Sequence, residues 1–132
     1  MGTSRWFKAI LPHKCTIETW TTVADDDFGQ PVKVWGTLVA DVKCRLRTLE
    51  AGRPWEVFSP TRGEMVAAEF QVFIALDSDT YSSGAPTFGE QARLVFSSSP
   101  YGALTLNAEL VAVRTGARSD SHLEVYCNRA VP

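Results

Sequence analysis

His13, His122, Cys15, Cys44 and Cys127 are the residues of this chain best suited to nucleophilic or metal chemistry, and their spacing supports neither. A serine or cysteine nucleophile needs a histidine within hydrogen-bond reach and a third group to orient that base. No motif surrounds His13 or His122, so both read as ordinary surface histidines. Zinc ligands come as Cys-x-x-Cys or His-x-x-x-His pairs, and neither spacing occurs. The three cysteines share the parity of Ile17, Leu46 and Val125, which makes them small buried apolar residues. Asp25, Asp26 and Asp27 lack the alternating ligand order and the distal glutamate of a calcium loop. There is no phosphate-cradling GxxxxGK[ST] or GxGxxG. The chain is read as non-enzymatic, without cofactor or metal.

Binding chemistry is better represented. Trp20, Trp35, Trp55, Phe73 and Tyr126 could stack nucleobases, as in barrels that bind single strands. Thirteen Lys and Arg against fifteen Asp and Glu leave a net charge of -2, which argues against affinity resting on broad phosphate neutralisation. The aromatics therefore read as anchors for protein contacts. Lys43, Arg45 and Arg47 share one face of an alternating segment and read as a solvated outer stripe.

The elements that must position these residues are strands. Cys15, Ile17 and Thr19 alternate with Thr16, Glu18 and Trp20, a period of two over Lys14 to Thr22. Ala24 to Pro31, with its aspartates, Gly29 and Pro31, forms a hairpin loop. Val32 to Leu49 is one long strand or two collinear ones, with Val32, Val34, Val42, Cys44 and Leu46 on one face and a bulge expected at Gly36. Glu50 to Glu64 carries Gly52, Pro54, Pro60 and Gly63 and reads as a long loop that can fold back as a ribbon through Trp55, Val57 and Phe58.

Ala67 to Asp77 returns to clean alternation, with Phe70, Val72, Ile74 and Leu76 inward and Glu69, Gln71 and Phe73 outward. Ser78 to Gly89, rich in Ser and Gly, is expected to be a mobile connection. Gln91 to Ser97, Leu104 to Arg114 and His122 to Asn128 supply three more strands. About six strands with no interior helix define an all-β fold, a small antiparallel β-barrel with long loops. At 132 residues its interior is filled by side chains and holds no large ligand chamber.

Residues 1–12 form a separate N-terminal arm, and residues 13–132 a single barrel domain. In the arm Ser4 can cap a short helical turn that puts Trp6, Phe7, Ile10 and Leu11 on one side and ends at Pro12. So short a helix needs a partner surface. No stretch approaches the roughly twenty apolar residues that span a bilayer, and no secretion signal is visible. Three widely spaced cysteines suit a reduced cytoplasmic setting better than a disulfide framework.

Taken in order, His13 to Glu56 resembles the opening of head-tail connector proteins of tailed bacteriophages, also called head-closure, stopper or head-tail joining proteins. Those proteins begin with a strand and an acidic turn of the type Asp-aromatic-Gly-Gly/Gln, here Asp27-Phe28-Gly29-Gln30, then a strand containing a Trp, here Trp35. A segment of the type A-x-V-x-P-L-x-G-R-E is echoed by Val42 to Arg53, though the proline and the final Glu spacing depart. Glu69 to Leu76 and Leu123 to Cys127 are similar to later strands of the family, so the likeness spans about residues 13 to 129.

The resemblance implies a virion subunit made in the bacterial cytoplasm and placed in the neck between capsid and tail. It implies a homo-oligomeric ring, hexamer or dodecamer, that extends the portal DNA channel and helps retain packaged DNA. A portal or adaptor protein would bind on the head side and a tail terminator or tail tube protein on the tail side. Contact with packaged double-stranded DNA would be transient and non-specific, and no membrane is involved. By position, Arg53, Trp55, Glu56 and Arg62 fall in the loop that faces the channel in the family, and Trp6, Phe7, Ile10, Leu11 and Phe73 become the expected protein interface. A single-stranded nucleic-acid-binding barrel and a tail-completion protein of the same neck region are the alternatives.

Overall fold

The computed structural model describes residues 10–25, 29–49, 55–60, 63–114 and 121–130 of the chain. They form β1 (His13–Asp25), β2 (Pro31–Thr48), β3 (Trp55–Ser59), β4 (Glu64–Ala68), β5 (Phe70–Ala75), β6 (Tyr81–Ser82), β7 (Ala85–Pro86), β8 (Ala92–Phe96), β9 (Leu104–Arg114) and β10 (His122–Arg129). Six of them close an antiparallel barrel in the order β1-β2-β5-β10-β9-β8. The expected all-β barrel is thus the fold found. The short N-terminal helix and the residues Trp6 and Phe7 lie outside the described residues; Ile10 stands in a turn and Leu11 just before β1.

Alternation places the core. Phe70, Val72 and Ile74 on β5, Ala92, Leu94 and Phe96 on β8, and Leu123, Val125 and Cys127 on β10 all point inward and are buried together with Ile17, Cys44, Leu46, Leu106 and Ala108. Burial of this kind contributes about 25 cal/mol per Å² of apolar surface and dominates the stability of so small a domain. The three cysteines belong to this interior. A hydrogen bond to Cys44, together with burial, pushes the Cys15 thiol well above its usual range, and burial does the same to Cys127. Thiolate is the reactive form, so these groups are inert in the folded barrel.

β1 and β2 are longer than the barrel wall they help to build. β8 pairs with β1 only at Thr16–Thr19, and β5 pairs with β2 only at Cys44–Thr48. Beyond these limits Trp20–Asp25 and Pro31–Trp35 pair with each other as a two-stranded spur. Gly36 is not the bulge expected of it. The extra residues on β2 fall at Leu38 and next to Asp41, where the register against β1 slips, and Asp41 takes a positive φ of 54°. Short polar side chains such as Asp adopt that left-handed region at lower cost than most. Val32 and Val34 keep the parity expected of them, but they lie past the end of the wall and are exposed.

Two further expectations are corrected. Ala67 to Asp77 is broken at Glu69, whose N–H bonds Cys127 O at 3.1 Å and Asn128 Oδ1 at 2.8 Å, so Ala67 and Ala68 belong to β4 rather than to the core strand. Ser78 to Gly89 is a built loop. Thr80 is buried and its hydroxyl donates to Ala75 O at 2.7 Å, and β6 and β7 pair across Ser83 and Gly84, both at positive φ, the geometry of a tight two-residue hairpin. Phe88 then returns into the core.

Candidate interaction site

The outer faces of β2, β5 and β10 carry a continuous row of functional side chains, set by register. Arg45 stands opposite Phe73, which stands opposite Glu124; Arg47 stands opposite Gln71, which stands opposite Tyr126. The Arg47 guanidinium lies 5.5 Å from the centre of the Phe73 ring, and the His122 ring packs on the same phenyl at 5.6 Å. Ile10 and Leu11 run over this face, and with Arg45, Arg47 and Phe73 they line a groove of about 280 Å³. Three of the five residues expected to form a protein interface, Ile10, Leu11 and Phe73, therefore meet in one place. Leu11 is buried, Phe73 half-buried and Ile10 exposed.

Glu124, opposite Phe73 on β10, organises a polar cluster of its own. Tyr126 donates to Glu124 Oε2 at 3.0 Å, Arg114 Nε donates to the same oxygen at 3.0 Å, and His122 Nε2 stands 3.1 Å from Oε1. Gln71 Nε2 in turn donates to the Tyr126 hydroxyl at 3.2 Å. Burial works to raise the Glu124 carboxyl, but the hydrogen bonds from His122, Arg114 and Tyr126 outweigh it and hold the group below the usual glutamate range. A depressed carboxylate adds stability that is present above the unfolded value, about 4.3, and is lost as pH falls through the folded one. Glu124→Gln should therefore be less stable than the natural chain at pH 7, and the gap should close below about pH 4, read by urea denaturation across that range.

The fold-back expected within Glu50 to Glu64, a ribbon through Trp55, Val57 and Phe58, is found where that segment is described. β3 and β4 pair from Trp55↔Ala68 to Ser59↔Glu64 as a ribbon. A two-stranded ribbon is marginal alone, so it needs a surface beneath it. Val57, Val66 and Ala68 supply one face, packed on Tyr126 with Leu49 and Leu110 beside them. This ribbon covers the outer wall at β9 and β10, which is why Gln71 and Tyr126, although outward, are buried. A bulge on β9 between Ala108 and Leu110 frees Glu109 to turn outward, where Ser59 Oγ donates to its Oε2 at 3.2 Å and pins the ribbon.

Glu56 lies exposed on the open face of the ribbon, diagonal to the exposed Phe58↔Met65 pair. Trp55 begins β3, and Arg53 and Arg62 lie outside the described residues. Among the described side chains, Trp20, Trp35, Phe73 and Tyr126 do not form one platform. Trp20 and Trp35 are a cross-strand pair at the base of the spur, with the Arg93 guanidinium 4.1 Å from the Trp35 ring centre and bridged to Glu18 at 2.6 Å. Phe73 and Tyr126 stand on other staves. His13 is not an idle surface histidine: its Nδ1 accepts the Leu46 N–H at 3.0 Å. The Glu124 cluster escaped sequence reasoning, because Arg114, His122, Glu124 and Gln71 meet only across strand pairs; the outward parity of Gln71 and Tyr126 was its one available signal.

No family model matches the chain, and no curated protein matches it. Among solved structures it is similar to protein SF1141 from Shigella flexneri 2a, determined in solution, with a TM-score of 0.57 and 16% identity over 91% of this chain and 93% of that one. At that identity the likeness is one of fold, a small β-barrel, and carries no function with it.

Proposed function

We propose that this chain is a structural subunit of the neck of a tailed bacteriophage: a head-to-tail connector, or stopper, that assembles as a ring, extends the DNA channel of the portal and docks the tail. The observation that carries the proposal is the meeting of Ile10, Leu11 and Phe73 in one groove flanked by Arg45 and Arg47. An apolar floor with a charged rim is the anatomy of a protein contact. The motif order from His13 to Cys127 resembles that of the connector family, and the groove offers a surface that a portal-side or adaptor-side partner would use. A tail-completion protein of the same region would use the same surface. No catalytic role is assigned to any residue.

A second reading, a single-stranded nucleic-acid-binding barrel, is favoured by the exposed Lys43, Arg45 and Arg47 beside the Phe73 ring. Light scattering behind size exclusion separates the two. The connector reading expects a concentration-dependent ring-sized species that ignores DNA oligomers. A monomer that shifts with single-stranded oligonucleotide at low salt, and stops doing so at high salt, would transfer the assignment to the nucleic-acid barrel.

A further inference from the structure

Four cations stand together beside the groove with no carboxylate paired to them. Lys14 on β1 lies directly opposite Lys43 on β2, so the two share a face, and Arg45 and Arg47 follow Lys43 on that face. Like charges set directly opposite each other destabilise a sheet. All four residues are exposed, and none enters an ion pair among the described residues. Glu124, across Phe73, is engaged by His122, Arg114 and Tyr126. In a chain of net charge -2 such a cluster calls for an anion from a partner.

The size and the surroundings of the cluster say what kind of anion. Lys43 to Arg47 spans about 13 Å, the length of about four extended residues. Beyond Lys43 the stripe meets Asp41, Asp77 and Asp79, which share a cavity with Lys43 and Leu11; beyond Arg47 it meets Glu69, whose carbonyl accepts the Leu49 N–H at 2.9 Å. A long polyphosphate laid along the stripe would run onto these acidic residues, whereas a short acidic segment fits between them. A nucleobase also needs an open ring to stack on. Phe73, the ring at this place, is half-buried, with the Arg47 guanidinium at 5.5 Å and the His122 ring at 5.6 Å from its centre. What lies open there is aliphatic: Ile10 is 49% exposed on the groove it lines with Leu11, Arg45 and Arg47.

We infer that the partner in this groove enters it with a short acidic segment of its own chain, which sets carboxylates on Lys14, Lys43, Arg45 and Arg47 and an aliphatic side chain between Ile10 and Phe73. This rests on the reading of the groove as a protein contact and deepens it by naming the chemistry of the partner.

Fluorescence anisotropy tests it with three labelled probes: a short peptide with the core Glu-Leu-Asp-Glu-Leu, its Gln-Leu-Asn-Gln-Leu counterpart, and a short oligothymidine. The acidic peptide should bind at least tenfold more tightly than the neutral one. Joint substitution Lys43→Glu and Arg45→Glu should weaken it at least tenfold, and Ile10→Ser should weaken it as well. All three positions are exposed, and Lys43→Glu removes the repulsion from Lys14, so its urea midpoint should not fall.

Equal binding of the acidic and neutral peptides, both weakened by Ile10→Ser, would overturn the inference and leave the groove as a protein contact. Tighter binding of the oligothymidine, lost on the same charge reversals, would overturn the inference and the reading beneath it together. Binding of no probe would overturn the inference, and light scattering then decides the ring by itself.

Discussion

Phe96→Ala should cost the barrel about 3–5 kcal/mol, a large part of the roughly 5–15 kcal/mol that holds a domain of this kind together. Phe96 is 1% exposed on β8, next to the seam where β8 joins β1. A closed barrel holds its staves at fixed spacing through ladders on both sides, so the wall cannot collapse inward to fill the void. The lost transfer energy and the cavity therefore add. Urea denaturation would show the midpoint falling with little change of slope. Phe58→Ala, the same chemical change at an exposed position, should stay within about 0.5 kcal/mol. Near-equal costs at the two positions would mean that the interior is not packed as described.

Val66→Asp should free the ribbon while the barrel stands. Val66 lies beneath the ribbon against Tyr126 and Leu110, and an unpaired carboxylate there would cost several kcal/mol to keep buried. The ribbon cannot supply that from its own ladder, since two strands alone are marginal. Undocking, which returns the carboxylate to water, is the cheaper response. Limited proteolysis should then cut within residues 50–69 at least ten times faster than in the natural chain, while the barrel keeps most of its unfolding cooperativity. Unchanged cleavage would mean that this face does not hold the ribbon down.

The strands were legible where one face meets the core and the other meets water. β8 buries strictly alternate residues, and on β5 and β10, where some outward residues are covered too, the inward set still alternates, so parity alone finds Phe70, Leu94 and Val125. Parity also marked Val32 and Val34 correctly as continuing the inner face of β2, but it could not say that the wall stops short of them. That limit depends on where β5 and β8 end, which is a matter of pairing between distant segments. Gln71 and Tyr126 illustrate the converse. Outward parity is right for both, and burial follows from a ribbon whose docking rests on Val57 and Val66; a fold-back through Val57 is readable in the sequence, whereas its pairing with Val66 and its seat on Tyr126 are not.

The groove was legible in part. Ile10, Leu11 and Phe73 were singled out for their type, and folding brought them together; Glu124 was not, because a lone glutamate in an alternating strand looks like any solvated side chain. Its partners Arg114 and His122 lie ten and two residues away, and the role emerges only when β9 and β10 stand side by side.

The position of β10 sets the order of events during synthesis. It follows every other stave in sequence, yet it stands between β5 and β9, bonded to both. Until it is made, those two strands present unpaired edges of the kind that template aggregation, and no earlier intermediate can complete the circle. The first stave waits as well, since Thr16–Thr19 bond to a partner more than seventy residues downstream. Such distant pairing slows folding. A nascent chain of this protein is therefore an open sheet, exposed to its neighbours on a polysome, and any factor that shields β5 and β9 during translation would raise the yield of finished barrels without altering their final stability.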